Sequence, residues 1–551
     1  MPRFVLRGSG HAGSGEGEVT MLDLQRTAAA SWVNLSSINE GDEARARCTR
    51  ATIAEALQDI PGVEVVEVSI NDSGAVATPA TWAVPSLDFS DMPPYCAVHI
   101  HSQDGDGHIA NIEVWVPLAW NERFLGVGGA GSRLAYAHFP MVNGVLNGFA
   151  VGMTDGGVPL DGSAYEWQIS PTTGKNDPVL INTWVHEGTH VMTIVGKAVT
   201  AAIHGKEPAF SYFQGGSGGG RQALSSALHH PDDYNGVWSE MPAINWTHLI
   251  PAGMWPALVM KELDNPLSPA KLEAFRSAAV EAYRIRSGSL RPFIDTVERV
   301  DFDPSALIGV DTPAGVITEQ DARVMQMIWD GPTAPDGERL WYGVRPGVEA
   351  WGAMGPGLGI CETKLDDSGA LVPVPWEISE VWFQTWLTDG RKNDWRSLTF
   401  DEFARLWKVG LEKFAYVAVD STDLYAFRDG GGKLLITHGT EDQVIPPESS
   451  YEYYDRLASA FGGFDSTSDF ARLFVCLGQA HGLAEPGRFN FDLSTGMIAL
   501  MRWVEHGVAP DELIPVRAGT DEQDPALGVR YVPVSGDSGS YRLRRTEVAA
   551  S

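Results

Sequence analysis

The sequence predicts an α/β fold: a mostly parallel central sheet with helices on both faces. Three observations carry this. Apolar, strand-like runs alternate with helix-patterned segments through the middle of the 551 residues. Those runs are short and apolar, as strands buried on both faces are. One serine among five glycines, in FQGGSGGGRQ (213–222), falls between a strand and a helix. In chain order, GHIANIEVWVPL (107–118) reads as a strand, and FLGVGGAGSR (124–133) as a strand running into a glycine loop. THVMTIVGKAVTAAIHG (189–205) has helical spacing and a terminal glycine. PAFSYFQ (208–214) is a strand, GRQALSSALHHPDDY (220–234) an amphipathic helix, and NGVWSEMPA (235–243) another strand. After a long gap, GGKLLITHG (431–439) and ARLFVCLG (471–478) are two more buried strands.

The chain is too long for one small core and only mildly longer than a large enzyme domain carrying an insertion. Its 71 acidic and 40 basic residues give a net charge of −31. That field repels phosphate backbones, so no nucleic acid partner is expected. No run of about eighteen apolar residues appears, so no membrane partner or span is expected. The first residues lack an apolar export core, so residues 1–40 read as a flexible tail. Only four cysteines occur, Cys48, Cys96, Cys361 and Cys476. Low usage suits a reducing compartment. A cytoplasmic location is expected, with secretion as the alternative if the true start lies upstream.

Gly215-Gly216-Ser217-Gly218-Gly219 is G-x-S-x-G between strand and helix, the context of a nucleophile elbow. A Cβ two residues either side of Ser217 would collide where strand and helix approach. The following helix N-terminus offers positive potential to a developing oxyanion. A nucleophilic serine needs a base, and the base needs an orienting acid, in the order Ser, Asp/Glu, His. Asp442 follows the strand KLLITHG, and His481 follows FVCLG. Glu441 is the rival acid, and His438 reads as a strand-end structural residue. The oxyanion donors expected are the amide of Gly218 and that of Gly129 or Ala130, in the loop after FLGV. That loop lacks both G-x-G-x-x-G and G-K-[ST], so a nucleotide loop is discounted.

With these residues in view, the chain resembles the tannase and feruloyl esterase family of α/β-hydrolases, which also holds mono(hydroxyethyl) terephthalate hydrolase. The likeness runs from about Cys48 to about Val516. Tyr212–Gln222 is similar to the family's nucleophile pattern, and WNERFLGVGGAG (120–131) to its oxyanion segment. ITEQDARVMQMIWDGP (317–332) and LWYGVRPGVE (340–349) resemble lid segments. DLYAFRDGGGKLLITHGTEDQVIPP (423–447) resembles the approach to the acid loop, and MRWVEHGVAPDELI (501–514) the final helix.

The resemblance implies an α/β-hydrolase domain at 41–243 and 430–516, a large lid inserted at 244–429, and a C-terminal extension at 517–551. It also implies a serine esterase that needs no cofactor and takes small esters of aromatic, phenolic or hydroxycinnamic-type acids. Three departures stand out. The family's active-site disulfide positions are Gly216 and Gly482 here, so the bridge is absent as a unit. The stretch corresponding to the family's lid calcium loop, 281–304, lacks clustered carboxylates at short spacing, so no metal is expected. Cys48 and Cys96 stand where the family has an N-terminal bridge, with pairing left open.

The lid is rich in aromatics, among them Trp246, Trp255, Trp329, Trp341, Trp351, Trp376 and Trp395. Trp382, Phe383 and Trp386 are candidates to stack on an aromatic acyl group. Arg391, Lys392 and Lys408 could meet a substrate carboxylate, though solvated surface is the better reading. WVHEGTH (184–190) also contains H-E-x-x-H, His186-Glu187-His190, the pattern of a zinc metallopeptidase. Gly188 weakens a helix there and no third ligand is evident, so this is the remote alternative. Two nearer ones stand beside the esterase: an esterase or lactonase for another natural-product ester, and a catalytically weakened binding protein on the same scaffold.

Overall fold

In a computed structural model, the fold is described for residues 41–532 apart from 105–106, 159, 161–165, 352–358 and 483–487. The expected tail and residues 533–551 lie outside the described residues. Ten strands form the main sheet: β1 (Val63–Asn71), β2 (Tyr95–Gln103), β3 (Ile109–Pro117), β4 (Arg123–Val127), β5 (Ala150–Thr154), β6 (Phe210–Gly216), β7 (Gly236–Glu240), β8 (Lys433–Gly439), β9 (Ala471–Cys476) and β10 (Gly528–Arg530). Their spatial order is β1-β2-β3-β5-β4-β6-β7-β8-β9-β10. The run from β5 to β9 is parallel; β1, β2 and β3 at one edge and β10 at the other are antiparallel.

The expected strands are all present. β8 and β9 are buried almost throughout, as two-sided burial of their apolar sequences requires. β10 falls within the stretch expected to be an extension, yet it pairs with β9 and closes that edge.

The helices that bear on the site are α1 (Phe139–Leu146), α2 (Gly188–His204), α3 (Gly218–His229), α4 (Phe400–Phe414), α5 (Glu448–Ala460) and α6 (Leu493–His506). β4 sends Phe124 to one face and Leu125 to the other. On the Phe124 face, Val195 and Val199 of α2, Leu224 of α3 and Leu457 of α5 complete a core. On the Leu125 face, Met141 and Val142 of α1 and Met497 and Leu500 of α6 complete another. α2 stops where Gly205 takes the left-handed conformation that a helix C-terminus favours. α3 begins two residues before its expected start and ends five before its expected end.

Cys48 and Cys96 are joined as a disulfide that ties the N-terminal helix Asp42–Arg47 to β2. A cross-link across 48 residues removes enough unfolded-state freedom for about 4 kcal/mol in the chain-entropy treatment.

Parallel register decides where the chemistry can sit. Val127 pairs with Gln214, Gly216 with Glu240, Glu240 with Thr437, and Gly439 with Cys476. The carboxyl ends of β4, β6, β7, β8 and β9 therefore lie in one row, and the loops that follow them meet. Between β7 and β8 the chain leaves the sheet for residues 241–432, described apart from 352–358. Their aromatic core includes Trp255, Trp329, Trp382, Trp386, Phe403 and Trp407, and it is continuous with Trp184, Val444 and Ile445. Arg345 anchors this segment to the start of α5 and the loop after β8, donating to Glu448 Oε1 at 3.0 Å and to the Thr440 carbonyl at 3.4 Å.

Candidate active site

Ser217 follows β6 directly and stands at the N-cap of α3 with φ 60° and ψ −119°. Such backbone strain in a non-glycine residue costs about 1–3 kcal/mol and recurs at functional sites. The glycines around it have a measurable reason. A Cβ on Gly215 would lie 2.5 Å from the Gly219 carbonyl oxygen, and one on Gly218 would lie 2.2 Å from that of Gly131. The turn is held from behind: the Ser217 N–H donates to Glu240 O at 2.9 Å, and Ser217 O accepts from Ala243 N at 3.1 Å.

The loops after β8 and β9 bring Asp442 and His481 to the serine. His481 Nδ1 lies 2.8 Å from Asp442 Oδ2, and Nε2 lies 3.0 Å from Ser217 Oγ. An ionised carboxylate only accepts, so Nδ1 carries the proton and Nε2 is left to accept from the serine hydroxyl. His481 and Asp442 are only 4 and 5% exposed. Asp442 Oδ1 accepts from the amides of Val444 at 2.9 Å and Ile445 at 2.7 Å. Burial alone would raise the pKa of Asp442, but His481 and His438 outweigh it and hold the carboxyl well below the usual range. Its depressed pKa contributes stability above the unfolded value of about 3.9, lost as pH falls toward the folded value.

Glu441, the rival acid, turns away to Arg488 Nη1 at 2.5 Å. His438 does more than end a strand. Its Nε2–H donates to Ile445 O at 3.0 Å and lies 3.3 Å from Asp442 Oδ2, while Nδ1 accepts from Ser450 Oγ at 2.8 Å. Gln443 accepts the His481 N–H at 2.9 Å, and Met241 Sδ accepts the Gly482 N–H at 3.3 Å.

The loop after β4 packs directly on the elbow, as the Gly218–Gly131 approach indicates. Gly129 is corrected as an oxyanion donor: its N–H donates to Gln222 Oε1 at 2.7 Å. The amides of Ala130 and Gly218 have no partner among the described residues. Arg221 and Gln222, directly after the elbow glycines, explain their own presence. Gln222 pins the glycine loop from beneath. Arg221, fully buried, donates to Val417 O at 2.7 Å and stacks on Trp184, with burial lowering its pKa to about 9.

The aromatic candidates are also corrected. Trp382, Phe383 and Trp386 are 1, 2 and 4% exposed and sit in the core of the inserted segment rather than facing a cleft. Trp382–Trp386 is a single π-helical turn whose two tryptophans stack on each other and both meet Phe414 of α4. Ile378 and Trp82 do reach the glycine loop, 3.4 and 3.8 Å from where a Gly131 Cβ would be. His186 and His190 lie away from the serine and face different partners, His230 and Asp233. Burial lowers the pKa of His186, and that of His230 to about 4, while a hydrogen bond to Asp233 raises that of His190.

Glu240 sits behind the elbow, its carboxylate accepting from the Gln214 side-chain amide. Burial pushes its pKa from 4.5 up to about 7, with Gln214 opposing and Asp492 adding. Between those two pH values the folded state holds a proton that the unfolded state has released. Stability from this group therefore falls as pH rises toward 7. In Glu240→Gln, unfolding free energy relative to wild type should gain about 2–3 kcal/mol between pH 4 and pH 8. Chemical denaturation at the two pH values checks this.

A family model described as "Tannase and feruloyl esterase" matches residues 96–535. A protein of Arthroderma benhamiae described as "Probable feruloyl esterase" is 30% identical over 429 residues, covering 76% of this chain and 78% of the relative. Among solved structures, tannin acyl hydrolase from Aspergillus niger superposes with a TM-score of 0.75 at 21% identity, over 92% of this chain and 96% of that one. Feruloyl esterase B from Aspergillus oryzae superposes with a TM-score of 0.72 at 20% identity, over 87% and 94%. These two likenesses establish the fold.

Proposed function

The chain belongs to the tannase and feruloyl esterase family and is a carboxylic ester hydrolase, and on that premise we propose that it works through Ser217, His481 and Asp442 on small esters of aromatic acids. The observation that carries the proposal is the unbroken chain of contacts, 3.0 Å from serine to imidazole and 2.8 Å from imidazole to carboxylate. Ser217 Oγ attacks the ester carbonyl while His481 Nε2 takes its proton. Asp442 holds the imidazole in the accepting tautomer and stabilises its charged form. The amides of Gly218 and Ala130 receive the negative oxygen. His481 returns the proton to the leaving alcohol, an acyl-enzyme forms, and a water activated by His481 releases the acid.

The site lacks the family's tether between nucleophile and base. Gly482 has φ 92°, a conformation a cysteine adopts only with strain. The Gln443 and Met241 contacts support alignment without a bridge, and so favour a working hydrolase over a weakened binding protein. We also propose that residues 281–304 form no calcium loop. It is supported by what the carboxylates there already do: Asp295 accepts from Tyr283, and Asp303 caps the turn at Ser305. The Cys48–Cys96 bridge supports an oxidising compartment over the expected cytoplasm. Residues 244–429 are proposed to act as the lid, because Ile378 reaches the glycine loop from that segment.

The aromatic preference is supported by the names of the relatives and by Trp82 and Ile378 beside the oxyanion loop. Hydrolysis of methyl ferulate, methyl gallate, mono(2-hydroxyethyl) terephthalate and methyl butyrate tests it. At least one aromatic ester should exceed butyrate in kcat/KM by about tenfold or more. Preference for butyrate would overturn the aromatic assignment and leave the esterase standing.

A further inference from the structure

Four of the chain's 14 histidines gather at one place, far from the serine. His186 lies in a π-helical turn, Thr183–Glu187, that runs into α2, and His190 lies in the first turn of α2. Both pass the far end of α3, where His229 and His230 stand. His186 Nδ1 lies 3.0 Å from His230 Nε2 and 3.5 Å from Glu187 Oε1. The ligand-type atoms of His186, Glu187 and His230 all lie within 4.8 Å of one another. Around them, the His190 ring stacks on His230 at 3.7 Å and is itself held by Asp233 at 2.8 Å, while His229 stacks on His186 at 4.6 Å.

A tetrahedral ion with bonds of about 2.0–2.1 Å has ligand-to-ligand edges of about 3.3 Å. Two of the three separations, 3.0 and 3.5 Å, bracket that edge, and the third lies within 4.8 Å. Without an ion, two half-buried imidazoles meet nitrogen to nitrogen, an arrangement that holds only while one donates and the other accepts. The surrounding stacks and the Asp233 bond fix the ring planes, as the neighbours of metal-binding histidines do. The side chains of His186 and Glu187 are 19 and 44% exposed, so solvent reaches the cluster.

We propose that His186, Glu187 and His230 bind a divalent transition-metal ion of the zinc type, with the remaining position open to water. The ion clamps the start of α2 to the end of α3. It is not the reaction centre: the 12 residues of α3 separate it from Ser217 by about 18 Å. Nor is it the peptidase arrangement that H-E-x-x-H suggests: His190 is turned to Asp233 and groups with Asp233 and His230 rather than with His186 and Glu187.

The test uses the full chain, stripped by a chelator and titrated with Zn²⁺ against a chromophoric competitor. Wild type should bind one equivalent and gain thermal stability on binding. His230→Ala should weaken binding by about 30-fold or more and lose the thermal gain. Stripped wild type and stripped His230→Ala should hydrolyse ester alike, which also reports that the variant is folded. Should His230→Ala not fold, Glu187→Gln, on the exposed side, carries the same expectation of weaker binding. No saturable binding by wild type, or binding undiminished in the folded variants, overturns the proposal.

Discussion

Ser217→Ala is expected to lower kcat/KM by roughly 10⁴–10⁶, with KM nearly unchanged. The reason is local. Ser217 Oγ is 3.0 Å from His481 Nε2, and alanine removes the nucleophile without touching the backbone. The strained φ of 60° is retained, and the elbow amides and carbonyls keep their partners. The loss corresponds to about 5–8 kcal/mol of transition-state stabilisation, and what survives comes from binding and the oxyanion amides. Steady-state kinetics on a folded variant with unchanged melting temperature checks it. A loss below about tenfold would mean that another group is the nucleophile.

Asp442→Asn should cost about 10⁴-fold in kcat while leaving the geometry nearly intact. Asp442 Oδ1 accepts two backbone amides, from Val444 and Ile445, and Oδ2 faces His481 Nδ1 and His438 Nε2. An asparagine satisfies the two amides only with its carbonyl oxygen. Its NH₂ then points at His481 and forces Nδ1 to accept. The proton moves to Nε2, which can no longer take one from Ser217. His438 meets the same NH₂ with its own N–H, so the variant should also be less stable near neutral pH. The depressed carboxyl pKa adds a signature: wild-type stability falls on acidification below about pH 4, and the part due to Asp442 is missing in the variant. Rate and denaturation profiles across pH measure both effects.

The site was legible where its signal was local or ordered along the chain. Ser217 could be read because the elbow imposes glycines at fixed offsets, and steric contact is a short-range rule. Asp442 and His481 could be read because parallel strands put their carboxyl ends in one row, so order in sequence becomes neighbourhood in space. Gln222 could not. Its bond to Gly129 spans 93 positions, and only the packed loop reveals which amide is already taken. Trp382 and Trp386 were misplaced for a related reason. Composition says that Trp382 and Trp386 will be buried against something, but a core and a substrate cleft look alike until the neighbours are known. The partners of His186 and His190 come from the end of α3 and the turn beyond it, out of reach of any motif at the start of α2. β10 escaped notice because three residues at a sheet edge carry too little apolar pattern to stand out.

The central claim is that Ser217 is an activated nucleophile. Intact-mass labelling with a fluorophosphonate probe tests it most directly, on wild type and Ser217→Ala. One adduct on wild type and none on the variant is the predicted result. An adduct that persists in Ser217→Ala, or none on well-folded wild type, would contradict it.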